Sequence, residues 1–186
     1  MMTRINGHIM KRIILFLTIL LTSQFVTAQK LAYYTEESDE GTLYGYKTAQ
    51  GEPYCTVYMI GSMPDPFVSG LRRIVKDGKI GFINKKGVVV IAPEYDMAEP
   101  FTKKICAVNK GAIQQELSAT DEYALGVRKG GQWGVINNKG AVTLPIKFTQ
   151  RWNKEADRHE YVAGWQAFHI NKKGKVEFIK NPTPSK

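Results

Sequence analysis

The sequence predicts an all-β fold, an array of about four antiparallel β-hairpin repeats arranged as an open meander, a solenoid or part of a propeller. Three observations predict it. One eight-residue pattern recurs four times, the copies are separated by similar lengths of chain, and branched or aromatic residues flank a turn in each copy. After the N-terminal segment, no stretch has the apolar period of a helix. Hairpin spacing alone leaves the open and closed arrangements undecided.

The recurring pattern indicates duplication. Its copies are YGYKTAQG at 44–51, IGFINKKG at 80–87, WGVINNKG at 133–140 and the more divergent AFHINKKG at 167–174. The interval between the second and third copies is longer because a polar segment, about 112–122, is inserted there. A second marker, FVSGL at 67–71, returns as FTKKI at 101–105. Two markers of similar period predict a repeat array in which each unit packs on its neighbours.

Each copy predicts a hairpin. Asn84 and Gly87 occupy the first and fourth positions of a type I turn, where an Asn side chain caps the turn and glycine accepts a positive φ. Residues 80–83 and 88–91 should form the flanking strands, and residues 135–136 and 141–144 should do so in the next full copy. We expect Pro93 and Pro145 to end these strands, since proline cannot donate to a central ladder.

The N-terminus indicates export. Lys11 and Arg12 precede an apolar run at 13–21, and small residues lie close to Ala28, as in a secretory signal peptide. Met10 is a second candidate for the initiating residue. The expected organisation is a signal peptide at 1–28, an acidic leader at 29–42, a repeat domain at 43–180 and a disordered tail at 181–186. The mature chain would be secreted or periplasmic, with no transmembrane segment.

The full sequence carries a formal net charge of +9. A positive balance favours acidic partners, but export argues against nucleic acid as the physiological one. No nucleic-acid-binding motif is present in the sequence. Nucleic acid is therefore not an expected partner.

Residues 78–96, GKIGFINKKGVVVIAPEYD, resemble the repeat of the bacterial WG-repeat (KWG) family, and the resemblance extends over about 43–178. Only Trp133-Gly134 keeps the Trp-Gly pair; Tyr44 and Ile80 replace the tryptophan, and Ala167-Phe168 lacks both residues. The resemblance implies a β-repeat fold and an interaction role, without shared catalytic residues. The positions with a structural role in the repeat are Gly45, Gly51, Gly81, Gly87, Trp133, Gly134, Gly140 and Gly174.

Lysines recur in the equivalent turns of successive copies: Lys85, Lys86, Lys139, Lys172 and Lys173. If the copies stack in register, these lysines form a basic stripe that could bind an anionic polymer such as an acidic glycan. The alternative is that lysines simply keep turns solvated and protect strand edges from aggregation. Both interpretations remain open on the sequence.

Cys55 and Cys106 are the only two cysteines. In an oxidising compartment an even pair is a disulfide candidate. The alternative, slightly favoured, is two buried unpaired thiols that pack as small hydrophobes.

The sequence gives no catalytic motif. His159 and His169 lack the spacing of a zinc site, and Glu155 and Asp157 lie in a polar segment that supplies such carboxylates routinely. We therefore expect no enzyme activity, no metal and no cofactor. The expected function is non-catalytic binding of a protein, peptide or anionic glycan at the cell envelope, by a monomer or weak self-associating species. The alternatives are an exported hydrolase or enzyme inhibitor with an unrecognised site, and a self-assembling structural component.

Overall fold

The computed structural model describes residues 30–39, 41–114, 128–180 and 182, and within them every regular element is a β-strand. All strand pairs of the two large sheets are antiparallel. The all-β prediction is confirmed. Among the described residues there is no helix of the length and apolarity that a bilayer crossing requires.

The strands group into four units of three strands, one unit for each copy of the repeat. Unit 1 consists of β1 (Ala32–Ser38), β2 (Gly41–Lys47) and β3 (Pro53–Val57). A small hairpin, β4 (Met59–Ile60) and β5 (Met63–Pro64), precedes unit 2, which is β6 (Leu71–Lys76), β7 (Lys79–Asn84) and β8 (Val89–Tyr95). The short β9 (Met97–Ala98) leads to unit 3, which is β10 (Ile105–Gln114), β11 (Arg128–Asn137) and β12 (Val142–Asn153). Unit 4 is β13 (Arg158–Ala163), β14 (Gln166–Ile170) and β15 (Val176–Phe178).

Hydrogen-bonded strands join each unit to the next. Units 1 and 2 form a six-stranded meander through the β3–β6 pair, in which Thr56 lies opposite Val75. Units 3 and 4 form a seven-stranded sheet with β9 through the β12–β13 pair, in which Thr149 lies opposite Val162. Units 2 and 3 are joined through β9, which follows β8 directly after Asp96 and pairs with β10; the Asp96 N–H also donates to the Asn109 carbonyl at 2.9 Å. The strands therefore divide into two sheets at Asp96, while the hydrogen bonds between units 2 and 3 continue.

Consecutive units pack against each other through three apolar clusters. Units 1 and 2 share a cluster that includes Tyr46 and Ile83, units 2 and 3 one that includes Phe82 and Ile136, and units 3 and 4 one with Trp133 and Phe168. Neighbouring residues of one strand point to opposite faces. Phe82 and Ile83 therefore pack on different neighbouring units, so every inner unit is apolar on both faces.

Pro93 and Pro145 do not end their strands, because β8 and β12 continue past them. Each proline lies in a bulge: Phe82 pairs with Ile91 and Ile80 with Tyr95, so three residues of β8 lie opposite the single Gly81. The bulge leaves the proline nitrogen outside the regular ladder, and a missing N–H group therefore costs nothing there. The prediction that these prolines terminate the strands was wrong.

Two other boundaries differ from expectation. The segment expected to be an acidic leader contains β1, which pairs with β2 along its whole length, so unit 1 begins before residue 43. Residues 112–114 of the expected insertion belong to β10, whereas its remainder lies outside the described residues. The signal peptide also lies outside them, as does the tail apart from Pro182.

Candidate functional site

Three of the turns share one geometry. The Asn84 side-chain oxygen accepts hydrogen bonds from the N–H groups of Lys86 (2.9 Å) and Val88 (3.1 Å). Asn137 and Asn171 make the same two bonds to their own turns. Gly87 donates its N–H to the Asn84 carbonyl and has a φ of 78°, a value that favours glycine. The type I turn predicted from Asn and Gly is therefore present in all three.

Each of these turns packs on the preceding unit. The N–H of Leu31 donates to the Gly87 carbonyl at 2.7 Å, which places Lys30 beside the first turn. Gly140 lies against the Ile91 side chain of unit 2. Gly174 lies against the backbone that precedes β10, at Thr102 and the neighbouring lysine. These contacts fix the position of each of the three turns relative to the preceding unit.

The turns of units 3 and 4 meet at one segment. The N–H of Asn138 donates to the Lys104 carbonyl at 3.0 Å, and Gly174 packs on Lys103. The pair at 103–104 therefore lies between two turns that carry lysines of their own. The full set at this end of the units, which we call the basic edge, is Lys30, Lys85, Lys86, Lys103, Lys104, Lys139, Lys172 and Lys173.

The ammonium groups of the basic edge are exposed and uncompensated. All eight lysines are exposed, and none forms an ion pair with a carboxylate of the described residues. Lys79 and Lys110, which lie elsewhere, are each bound to a carboxylate. Five of the eight were predicted from the sequence, whereas Lys30, Lys103 and Lys104 were not. The Lys-Lys pair in the 101–105 marker was the signal that could have found two of them.

A charged cluster joins units 2 and 3 at Asp96, where the strands divide into two sheets. Asp96 is 5 % exposed and accepts hydrogen bonds from Lys79 Nζ (2.5 Å), Arg128 Nη1 (2.8 Å) and the Gly111 N–H (2.7 Å). Burial opposes ionisation of Asp96, but these hydrogen bonds and the two positive charges outweigh it, so its pKa is lowered. Asp96 therefore remains ionised and holds the two sheets together.

A second buried ion pair supports the same region. Arg73 binds Asp65 through two nitrogens, at 2.7 and 3.1 Å, and donates to the Ala98 carbonyl at 2.8 Å. The Tyr58 ring stacks on the guanidinium, 4.2 Å from its carbon. These contacts fix the hairpin of β4 and β5 and the chain at Ala98 against unit 2. The pair was not predicted, because no sequence pattern connects residues in a hairpin and a distant strand.

Comparison with known proteins gives one positive result. Residues 80–112 match the family model described as a WG containing repeat. The similarity is to a single repeat within the chain. No curated protein and no solved structure matches the chain. The matched segment begins in β7 and ends in β10, so the family repeat is out of phase with the structural unit by one strand.

The Trp-Gly pair at 133–134 is explained by packing. Trp133 is buried between units 3 and 4. A Cβ atom on Gly134 would lie 2.8 Å from the backbone of Ile146 in the bulge of β12, and one on Gly81 would lie 2.6 Å from the backbone of β8. In unit 4 Phe168 replaces the glycine, and the β14–β15 pairing is regular, without a bulge. In unit 1 the equivalent Gly45 pairs directly with Thr56 and no bulge lies opposite it. The three-residue bulge therefore requires the glycine, but the glycine also occurs without the bulge.

Both cysteines of the chain are free and buried. Cys55 packs between units 1 and 2, whereas Cys106 packs between units 2 and 3, so unit 2 lies between them. The disulfide that the sequence left open is not present, and the alternative of two buried thiols describes the structure. Burial raises the pKa of Cys55 to about 11 and that of Cys106 well above the usual thiol value, although a lysine near Cys55 and an arginine near Cys106 oppose it.

The histidines lie in hydrogen-bonded clusters on unit 4. His159 Nδ1 is 3.1 Å from Glu99 and 3.2 Å from the Gln150 amide. His169 Nε2 is 3.1 Å from Glu177 and 3.3 Å from Arg158. Glu155 and Asp157 lie in the exposed turn before β13. Within the described ranges, no three histidine, cysteine or acidic side chains are placed to hold a metal ion.

Proposed function

We propose that this protein is an exported, non-catalytic binding protein that holds an anionic glycan of the cell envelope along the basic edge. The observation that supports it is the gathering of eight exposed, unpaired lysines at one end of the stacked units. Packed sheets lie about 10 Å apart, so the turns present their charges at a regular spacing. A regular row of cations suits a polymer with repeated negative charges.

The titratable groups favour binding over catalysis. A general acid at neutral pH needs a raised carboxyl pKa. Asp96 and Glu160 are the buried carboxylates whose pKa values shift, and both are lowered, since hydrogen bonds from cationic side chains outweigh burial. A nucleophilic cysteine needs a lowered pKa, whereas burial raises the pKa of both thiols here. These directions support a non-catalytic role.

The proposal is tested by binding of residues 29–186 to dextran sulfate, with uncharged dextran as the reference polymer. The triple variant Lys103→Gln, Lys104→Gln, Lys139→Gln removes the centre of the basic edge. A matched triple variant, Lys129→Gln, Lys147→Gln, Lys180→Gln, makes the same change of net charge at exposed lysines elsewhere. We expect the first variant to bind about tenfold more weakly than the second at low salt, because the contacts are local and screened.

Equal loss of binding in the two triple variants would show that net charge alone is responsible and would contradict a specific edge. Binding that persists at high salt would contradict the electrostatic basis. Export is tested separately, by fractionating cells that express the full chain and measuring the mass of the product. Intact protein in the cytosol would refute the proposed localisation, while a product lacking the N-terminal segment outside the cytosol would support it.

A further inference from the structure

A pocket of about 310 Å³ lies between units 1 and 2, beside the first lysine turn of the basic edge. Unit 1 contributes Tyr33 and Tyr46, which lie opposite each other in the β1–β2 pair. The backbone hydrogen bond from Leu31 to Gly87 joins the two units at the border of the pocket. A volume of this size suits a small ligand or one residue of a polymer.

The charged side chains that line this pocket all have the same sign. They are Arg72, Lys85 and Lys86, and no described carboxylate is part of the lining. Both lysines are exposed and belong to the basic edge, whereas Arg72 lies deeper and is half-buried. Cations that are grouped without an acidic side chain create a local positive potential, so the pocket attracts anions and repels cations.

Arg72 is the one arginine in the described part of the chain that has no carboxylate partner. Neighbouring residues of β6 point to opposite faces, so Arg72 faces unit 1 while the next arginine faces Asp65. The arginines that bind a carboxylate are Arg73, Arg128, Arg151 and Arg158. The Nε atom of Arg72 also makes no hydrogen bond with the described residues. Partial burial of an unpaired guanidinium costs free energy, which a bound anion would offset.

Two aromatic rings hold the Arg72 guanidinium in place. Its carbon lies 4.3 Å from the centroid of the Phe67 ring and 5.6 Å from that of Tyr33. Stacking uses the faces of the guanidinium, whereas its N–H groups lie in its plane and can bind an anion. Tyr33 is 46 % exposed, although its ring also contacts that of Tyr46. It therefore offers ring surface on which the apolar face of a sugar can pack.

We propose that this pocket is the anchoring subsite of the basic edge and holds one acidic sugar residue. Arg72, Lys85 and Lys86 bind its anionic group, a carboxylate, sulfate or phosphate, and Tyr33 packs on its ring. The inference rests on the proposed function for its class of ligand, an anionic glycan. It adds an arginine that fixes one residue of the polymer, whereas the lysines along the edge interact with its other charges.

The test is titration of residues 29–186 with glucuronate, glucose 6-sulfate and glucose 6-phosphate, followed by amide chemical shifts in NMR spectra. Glucose is the neutral reference, and inorganic sulfate and phosphate are the anions without a ring. We expect saturable binding of at least one acidic sugar, weakened by salt, with shift changes at Leu31 and Gly87. The acidic sugars that bind identify the anionic group. Glucose should not bind, and the inorganic anions should bind about tenfold more weakly.

Two variants test the residues of the pocket. Arg72→Lys keeps the charge but removes the planar guanidinium, and it should weaken binding about tenfold. Tyr33→Ala removes ring surface and should also weaken binding. Tyr34→Ala is the matched control, because it removes the next ring along β1, which does not line this pocket. This control should bind acidic sugars as the unaltered protein does.

Near-ultraviolet circular dichroism and the unfolding midpoint check that each variant is folded; if Arg72→Lys is not, Tyr33→Ala and the shift map of the unaltered protein decide. Absence of saturable binding of every acidic sugar would overturn the proposal. So would unchanged affinity in both pocket variants, an equal loss of affinity in Tyr34→Ala, or inorganic anions that bind as tightly as the sugars.

Dextran sulfate distinguishes failure of this inference from failure of the proposed function. If acidic sugars bind at the pocket while the two triple lysine variants bind dextran sulfate equally, the proposed function is wrong and the pocket is supported. If the triple variant of the basic edge binds dextran sulfate more weakly than its control while acidic sugars shift no amide of the pocket, the pocket is wrong and the basic edge is supported.

Discussion

Gly134 lies opposite the bulge of β12, where three residues face one. Its backbone conformation is not one of the positive-φ conformations of this chain, so conformational freedom does not explain the glycine. Proximity does, because a Cβ atom there would lie 2.7 Å from the Ile146 side chain and 2.8 Å from its backbone. Gly87 differs, since its turn requires a positive φ as well as close approach to Leu31.

Gly134→Ala should lower the free energy of unfolding by about 1–3 kcal/mol, the usual cost of overpacking, because the bulge backbone must move. Urea unfolding followed by tryptophan fluorescence measures the change. Gly61→Ala is the control, since its φ is positive but nothing lies within 4 Å of the added methyl. A larger loss of stability for Gly61→Ala than for Gly134→Ala would show that the positive φ, rather than close contact with the added methyl group, determines the cost of replacing a glycine.

The two thiols should be unreactive in the folded protein. Burial raises the pKa of Cys55 to about 11 and that of Cys106 well above the usual thiol value, so the reactive thiolate is scarce at pH 8. A thiol reagent such as DTNB should label neither cysteine in buffer and both in denaturant. Rapid labelling of the native protein would contradict the buried placement. A native mass two hydrogens lower than that of the reduced protein would reveal a disulfide.

At the scale of the element, one asparagine organises each turn. Asn137 accepts two backbone N–H groups of its own turn, while the neighbouring Asn138 contributes its backbone N–H to Lys104. The first asparagine therefore shapes the turn, and the second places the turn against the segment before β10. The hairpin β11–β12 and its lysine are positioned by these contacts together.

Asn137→Ala should destabilise the protein by about 1–2 kcal/mol, because two backbone donors lose their acceptor. Asn138→Ala is a matched control in the same turn: its side chain makes no hydrogen bond with the described residues, and a loss below about 0.5 kcal/mol is expected for such a surface change. Thermal and urea unfolding measure both. Equal losses of stability in the two variants would mean that the side-chain hydrogen bonds of Asn137 are not what stabilises the turn.

For the whole molecule, the junction of units 2 and 3 depends on Asp96. Its pKa is lowered in the folded state, whereas an unfolded aspartate titrates near 3.9. The stabilisation from its ionised form is therefore complete above the unfolded pKa and is lost as the pH falls toward the folded pKa. Asp96→Asn should destabilise the protein at pH 7 and flatten the acid side of its stability profile. An unchanged profile between pH 5 and 2 would contradict this role.

The last unit ends the stack with polar residues. Positions that are apolar in units 2 and 3 become charged or polar here: His169 and Glu177 pair where Phe82 pairs with Ile91 and Val135 with Leu144. Nearby, Glu160 is bound by Arg151 at 2.8 Å and Arg158 at 3.3 Å. Terminal repeats need a polar outer face to remain soluble. Unit 4 therefore carries a cap against addition of a further unit.

Restoring the apolar pair with His169→Val and Glu177→Leu should produce concentration-dependent self-association, measured by analytical ultracentrifugation. The control, Lys129→Val with Gln132→Leu, adds similar apolar surface to exposed positions of β11. Association in the control alone, or in neither variant, would contradict capping by unit 4. The unaltered protein should not associate through this face, because the His169–Glu177 pair there is polar.

Much of this fold was predictable because its signals are local. The Asn-x-x-Gly turns and the branched residues beside them specify hairpins, and their repetition specifies the number of units. The continuation of β8 and β12 past Pro93 and Pro145 was not predictable, because it depends on a bulge that forms opposite a glycine on the partner strand. Of the basic edge, the turn lysines were predicted, whereas Lys30 was not, since its place depends on the pairing of the chain before β1 with β8.

The sequence by itself determined that this chain is a repeat of β-hairpins with lysines in equivalent turns, because turn chemistry and strand alternation act over a few residues. The tertiary structure decided three other features: the separation of Cys55 from Cys106, the division of the strands into two sheets at Asp96, and the charged cluster around that residue. Each depends on which faces of distant strands meet. That choice is made by packing between units, and no local pattern encodes it.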